Sequence, residues 1–83
     1  MKIEAQLRKF ILQNFMYTDD EAKLTREMSL IDNGVIDSTG VLELVGFIEE
    51  TFSISVGDAE LVPENFDSLA KLTSFLERKQ AAA

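Results

Sequence analysis

The stretch LIDNGVIDSTGVLELVGFIEETF, Leu30 to Phe52, changes character at Ser38, from a polar turn to a long apolar segment. Beyond Ser38, Val41, Leu42, Leu44, Val45, Phe47, Ile48 and Phe52 recur at helical spacing and predict a helix with a broad apolar face. Asp37 or Ser38 can accept a hydrogen bond from the first-turn amides, which sets the start of that helix at Ser38. Gly40 and Gly46 each lower its intrinsic helicity by about 1 kcal/mol relative to alanine, so tertiary contacts must hold it. Glycine there also leaves room for close approach by another group.

The rest of the chain supplies surfaces for that face. Ile3, Leu7, Phe10, Ile11 and Phe15 recur three and four apart, so Lys2 to about Phe15 reads as an amphipathic helix. From Met16 to Asp37 no period is sustained, and a long loop is expected, anchored by Leu24, Met28, Leu30 and Ile31. After Phe52, Ile54 and Val56 anchor a second loop. A short helical turn at Asp58 to Leu61 stops before Pro63, because the residue preceding proline avoids helical torsions. A last helix opens near Asp67 or Ser68, either a good cap, and carries Leu69, Leu72, Phe75 and Leu76 toward the basic end Arg78-Lys79. There is no strand-like alternation and no internal repeat. The expected fold is all-α: a small antiparallel bundle of three principal helices plus one short helix, with a long first loop. Residues 1–80 form one domain, and 81–83 read as a vector-derived tail.

Composition narrows the chemistry. The 83 residues suffice for one small domain, and cysteine and histidine are both absent. That removes disulfides, thiolate nucleophiles, the usual zinc sites and histidine-based triads, so hard chemistry must come from a partner or an added group. The formal net charge of -7 disfavours nucleic acid and anionic membranes and favours basic proteins as partners. All eight Lys and Arg lie outside the window Glu27 to Asp67, which holds ten acids. Such a half is either a solvated surface or a docking surface. The start MKIEAQLRKF carries charges where a signal peptide would be apolar, and no run approaches a membrane span of roughly 20 residues. A soluble, cytoplasmic monomer is expected.

Three readings of DNGVIDSTG, Asp32 to Gly40, compete. A calcium loop needs oxygen ligands at positions one, three and five, glycine at six and glutamate at twelve. Starting at Asp32 puts Glu43 at twelve but Gly34 and Ile36 at ligand positions, and placing Gly34 at six fails as well. The second reading is purely structural: Gly34 turns the chain and Asp37 or Ser38 caps the helix. The third is covalent attachment. A hydroxyl at a helix start is exposed, rigidly held and close to amides that favour an added phosphate. With no base of its own, the domain would need an external enzyme for the transfer.

The run from Leu30 to Phe52 resembles the phosphopantetheine attachment region of acyl carrier proteins, where a glycine-containing loop leads to Asp-Ser at the start of the second helix. PENFDSLAKLTSFLERK, with Asn65-Phe66 before the last helix, is similar to the closing segment of small stand-alone carriers. The resemblance covers Ile3 to Lys79. It implies a non-catalytic carrier in which Ser38 bears 4′-phosphopantetheine taken from coenzyme A, whose thiol holds an acyl or aminoacyl group as a thioester. Asp37 would help present Ser38 to a phosphopantetheinyl transferase and its divalent metal, and the domain itself holds no metal. Thr39, Glu43, Glu49 and Glu50 match positions that meet partner enzymes: the transferase, an acyl- or aminoacyl-loading ligase, and downstream synthases or transferases. Fatty-acid, polyketide, nonribosomal-peptide and D-alanyl carriers share this framework. Two residues depart from the family pattern: Thr39 stands where leucine is usual, and Gly40 where a larger side chain is common. Gly46 either reshapes the acyl pocket or permits close helix packing. The alternative reading is an unmodified carrier-like module that binds a basic partner directly.

Overall fold

A computed structural model of the chain describes residues 2–82. Helix α1 (Lys2–Ile11) runs on through a π-helical turn at Leu12–Met16, one residue beyond the expected boundary. Tyr17 ends it in the left-handed region at φ 53°, and its N–H donates to Leu12 O. Helix α2 spans Ser38–Phe52, α3 spans Pro63–Phe66 and α4 spans Leu69–Ala82. Short 3-10 turns occupy Glu21–Lys23 and Asp58–Glu60, and the described residues contain no strand. The chain is thus an all-α bundle with a long first loop.

Apolar faces account for how the helices meet. Leu7, Ile11 and Leu12 from the first helical segment and Leu69, Leu72 and Leu76 from α4 are buried. Helix α1 meets α2 through aromatic rings: Phe10 stacks on Phe47 with centroids 4.0 Å apart, and Phe15 meets Phe10 edge-on at 5.7 Å. Such pairs contribute about 0.5–1.5 kcal/mol beyond area burial. From α2, Leu44 and Ile48 are fully buried, whereas Leu42 is 65% exposed. The predicted broad face is narrower than the apolar run, because at about 100° per residue Leu42 lies on the far side of the helix from Leu44.

The first loop is fastened rather than slack. Leu24 and Leu30 are fully buried anchors, as expected. Ile31 is not an anchor, being 43% exposed, because its backbone rather than its side chain is what holds this part of the loop. Ile31 N–H and Ser29 Oγ both donate to Asp67 Oδ1, at 2.9 and 2.8 Å, while Leu30 N–H donates to Asp67 O at 2.7 Å. Farther back, Arg26 O accepts from Ala70 N–H at 3.0 Å. Glu4 on α1 bridges Arg26 at 2.8 Å and Arg8 at 3.3 Å. The Arg26 guanidinium beside it holds the Glu4 carboxyl below its usual range.

The second connection differs from expectation in one respect. Val62 is extended at φ -124° and ψ 154°, as a pre-proline residue should be, yet Pro63 then begins a helix instead of only ending one. Its missing N–H belongs to the first turn, where no intrahelical acceptor exists, so α3 loses nothing by starting there. Ser68 is the cap of α4, its Oγ accepting from Lys71 N–H at 3.1 Å, because the Asp67 carboxylate is committed to the first loop. Ala81 and Ala82 continue α4, and Ala83 lies outside the described residues.

Candidate functional site

Ser38 is the first residue of α2 and is exposed. Asp37 caps the helix from an extended conformation: its Oδ1 accepts from Gly40 N–H at 2.8 Å and its carbonyl from Val41 N–H at 2.8 Å. The choice between Asp37 and Ser38 as cap therefore falls to Asp37. Ser38 Oγ is left outside the cap, and the Ser38 and Thr39 amides belong to the first turn, which has no intrahelical acceptors.

Consecutive turns in the preceding loop bring the chain to this point. Val35 N–H and Ile36 N–H both donate to Leu30 O, at 2.8 and 3.3 Å, and Asn33 Nδ2 donates to Ser29 O at 2.7 Å. The reversal passes through Gly34 at φ 69°, a left-handed conformation that glycine adopts without a side-chain clash. These turns end at Asp67, which also closes α3. The loop before Ser38 and the segment beyond α3 thus share one carboxylate. Hydrogen bonds from Ile31 N–H and Ser29 Oγ hold that carboxyl below its usual range.

Two depressions flank the start of α2, and Asp37 lines both. The first, about 270 Å³, has Ser38 and Asp37 beside apolar walls from Ile31, Ile36, Val41, Leu61, Val62, Pro63 and Phe66. Its size is just below the usual range for ligand pockets, and Asp37 and Ser38 are the polar residues of its lining. On the other side, a groove of about 280 Å³ is lined by Tyr17, Thr39, Gly40 and Glu43, among others. Chemically, the site offers an exposed hydroxyl without a neighbouring imidazole or thiol, since the chain has neither. It presents a hydroxyl with the Asp37 carboxylate as its charged neighbour in the cleft.

The predicted partner residues separate on inspection. Thr39, Glu43 and Glu50 are exposed. Glu49 is half-buried, and its Oε2 accepts from Val56 N–H at 2.8 Å, which ties the second loop to α2. A step of seven residues keeps Glu43 and Glu50 on one face, while a step of six carries Glu49 about a third of a turn away. Gly46 neither packs closely nor shapes a pocket: a Cβ there would meet nothing within 4 Å. Sequence reading missed Tyr17 and the Ile31–Leu61–Val62 wall of the cleft. Ile31 looked like a core anchor, and Tyr17, alone in a polar segment, gave no periodic signal.

The chain is 35% identical over 60 residues to the acyl carrier protein of Thermotoga maritima, covering 72% of each chain. It is 31% identical over 67 residues to the D-alanyl carrier protein of Streptococcus pyogenes, covering 81% of this chain and 84% of the relative. In structure it is similar to a holo acyl carrier protein from Nitrosomonas europaea solved by solution NMR, with TM-score 0.78, 28% identity and 98% coverage of both chains. No family model matches the chain.

Proposed function

The chain belongs to the acyl carrier protein family, and on that footing we propose that it carries an acyl or aminoacyl group on 4′-phosphopantetheine attached to Ser38. The observation that supports this most directly is the pairing of an exposed hydroxyl at a rigid helix start with an apolar cleft beside it. In the modification, Ser38 Oγ attacks the phosphorus of coenzyme A that bears the pantetheine. A phosphodiester forms, the pyrophosphate bond breaks with the adenosine bisphosphate portion leaving, and the hydroxyl proton passes to the modifying enzyme.

The residues present suit the group. First-turn amides and the positive end of α2 stabilise a phosphodiester at Ser38. Asp37 presents Ser38 while its Oδ1 holds Gly40 N–H, so orientation of the hydroxyl and capping of the helix come from one side chain. The bound group supplies the thiol that a chain without cysteine lacks, and that thiol holds the cargo as a thioester. Ile31, Val41, Leu61 and Val62 provide an apolar wall that can shield the carbon chain of a cargo from water. Glu43 and Glu50 offer negative charge to basic surfaces of the transferase, loading ligase and downstream enzymes. The domain works in the cytoplasm as a monomeric, non-catalytic shuttle, and among the described residues no helix is long and apolar enough to cross a membrane.

Incubation with coenzyme A and a broad-specificity phosphopantetheinyl transferase tests the assignment by intact mass. The parent chain gains the mass of one phosphopantetheine, and Ser38→Ala, with helicity retained by circular dichroism, gains none. Equal labelling of the variant would overturn it.

A further inference from the structure

The walls of the cleft beside Ser38 are held in different ways. The α3 side is tied to α4 twice: Glu60, next to Leu61, pairs with Lys79 at 2.9 Å, and Asn65 Oδ1 accepts from Arg78 at 3.1 Å while its Nδ2 donates to Glu60 O at 3.0 Å. Pro63, in the same wall, has its φ fixed by its own ring. Ile36 and Phe66, which also line the cleft, belong to the core at 3% and 2% exposure.

Ile31 has no such support. Its side chain is 43% exposed, and the turn that carries it closes on itself: Gly34 N–H donates to Ile31 O at 3.1 Å and Asp32 N–H to Ser29 Oγ at 3.0 Å. Among the described residues, the hydrogen bonds that tie this turn to distant parts of the chain all end on Asp67. Ser29 Oγ and Ile31 N–H donate to its carboxylate, and Leu30 N–H donates to its carbonyl. Leu30 is fully buried and stays with the core, so loss of the carboxylate frees Ile31 to swing about it.

A cleft of about 270 Å³ is filled by about nine groups of the roughly 30 Å³ that a water molecule or a methylene takes up. A longer chain must push a wall aside, and Ile31 is the one whose displacement disturbs neither the core nor α4. We infer that Asp67 is a positioning residue for the cargo: by latching the Ile31 wall, it confines the cleft to an uncharged carbon chain of about nine carbons or fewer. Asp67 does not line the cleft itself, so it acts through Ile31. Charged cargo is disfavoured by the lining, which is apolar apart from Asp37 and Ser38. The inference rests on the reading of this cleft as the seat of the carried chain.

The chain has no cysteine, so Ser38→Cys supplies a single thiol at the cleft. Alkyl methanethiosulfonates from methyl to dodecyl convert it to mixed disulfides without a transferase, and thermal unfolding of each adduct reads how much of the alkyl chain is buried. With Asp67 in place, Tm rises by about 3–6 °C for each methylene fully buried and stops rising beyond about nine carbons. With Asp67→Ala the starting Tm is lower, but the rise continues to dodecyl. Asp67→Asn, which keeps an acceptor oxygen, restores the cut-off. A merely structural Asp67 would lower the Tm of every adduct equally and leave the cut-off in place. If Asp67→Ala does not fold, Ser29→Ala, which removes one donor from the latch, is read instead and moves the cut-off the same way. An unchanged cut-off in the loosened variant, or no rise in Tm at any length, would overturn the inference. Failure of the attachment reading shows separately, as absence of phosphopantetheine labelling at Ser38.

Discussion

Phe15 crowds the position that a side chain on Gly40 would take: a Cβ there would stand 3.2 Å from Phe15 Cε1 and 3.4 Å from Asp37 Oδ1. Gly40 is buried, and its N–H is the one that Asp37 caps. The glycine that departs from the family pattern is thus explained by how the end of α1 closes on the start of α2. Gly40→Ala gains helix propensity but must displace a ring braced edge-on by Phe10, and a net loss of about 1–2 kcal/mol is expected. Thermal unfolding of Gly40→Ala, Phe15→Leu and the double variant checks this, the double losing less than the sum of the singles.

Charge reversal separates the two acids that sequence spacing had grouped. Glu49→Lys removes the acceptor for Val56 N–H and should lower stability by about 1 kcal/mol, seen as a lower Tm. Glu43→Lys touches no such bond, so its Tm stays near that of the parent while the KM of the modifying enzyme rises at low salt. The difference in KM shrinks as salt increases, because exposed charges are screened beyond about 10 Å at 0.1 M.

Most of the architecture was legible because buried periodicity and caps are local. Leu44 and Ile48 on α2, Leu72 and Leu76 on α4, and the start of α2 at Ser38 are set by residues within one or two turns of each other. What could not be read depends on distant partners. Ile31 looked apolar enough for the core, but Asp67, 36 residues away, takes its N–H and leaves its side chain at the cleft. The same carboxylate, once committed there, left the cap of α4 to Ser68. The place of Ser38 at the start of α2 was readable from its Asp-Ser context, whereas the cleft beside it is assembled from the loop, α2 and the α3 segment and has no contiguous signature.

The Asp67 link makes an acid-sensitive contribution to stability. Its folded pKa is lowered, chiefly by the hydrogen bond from Ile31 N–H, so the stabilisation is fully present above the unfolded carboxylate value of about 3.9. It is lost as pH falls through the lower folded value. Asp67→Asn should therefore unfold at lower denaturant than the parent near neutral pH. The difference narrows as the pH drops below about 4. Urea titrations at several pH values check it, and a gap between parent and variant that widens toward acid would contradict the link.

Capping and presentation by Asp37 can be separated, because the cap uses an oxygen that asparagine also has. Asp37→Ala removes the acceptor for Gly40 N–H and should cost about 0.5–2 kcal/mol, with fraying of the first turn of α2. Asp37→Asn keeps the amide oxygen in place, and Asn is as good a cap as Asp, so Tm should stay within a few degrees of the parent. If the carboxylate also presents Ser38 to the transferase and its divalent metal, Asn must lower kcat/KM even though the helix start is unchanged. A drop of about tenfold corresponds to removing one charge-dependent interaction from the transition state. Parent-like modification of Asp37→Asn, with slow modification confined to the frayed Asp37→Ala, would assign Asp37 to the cap alone.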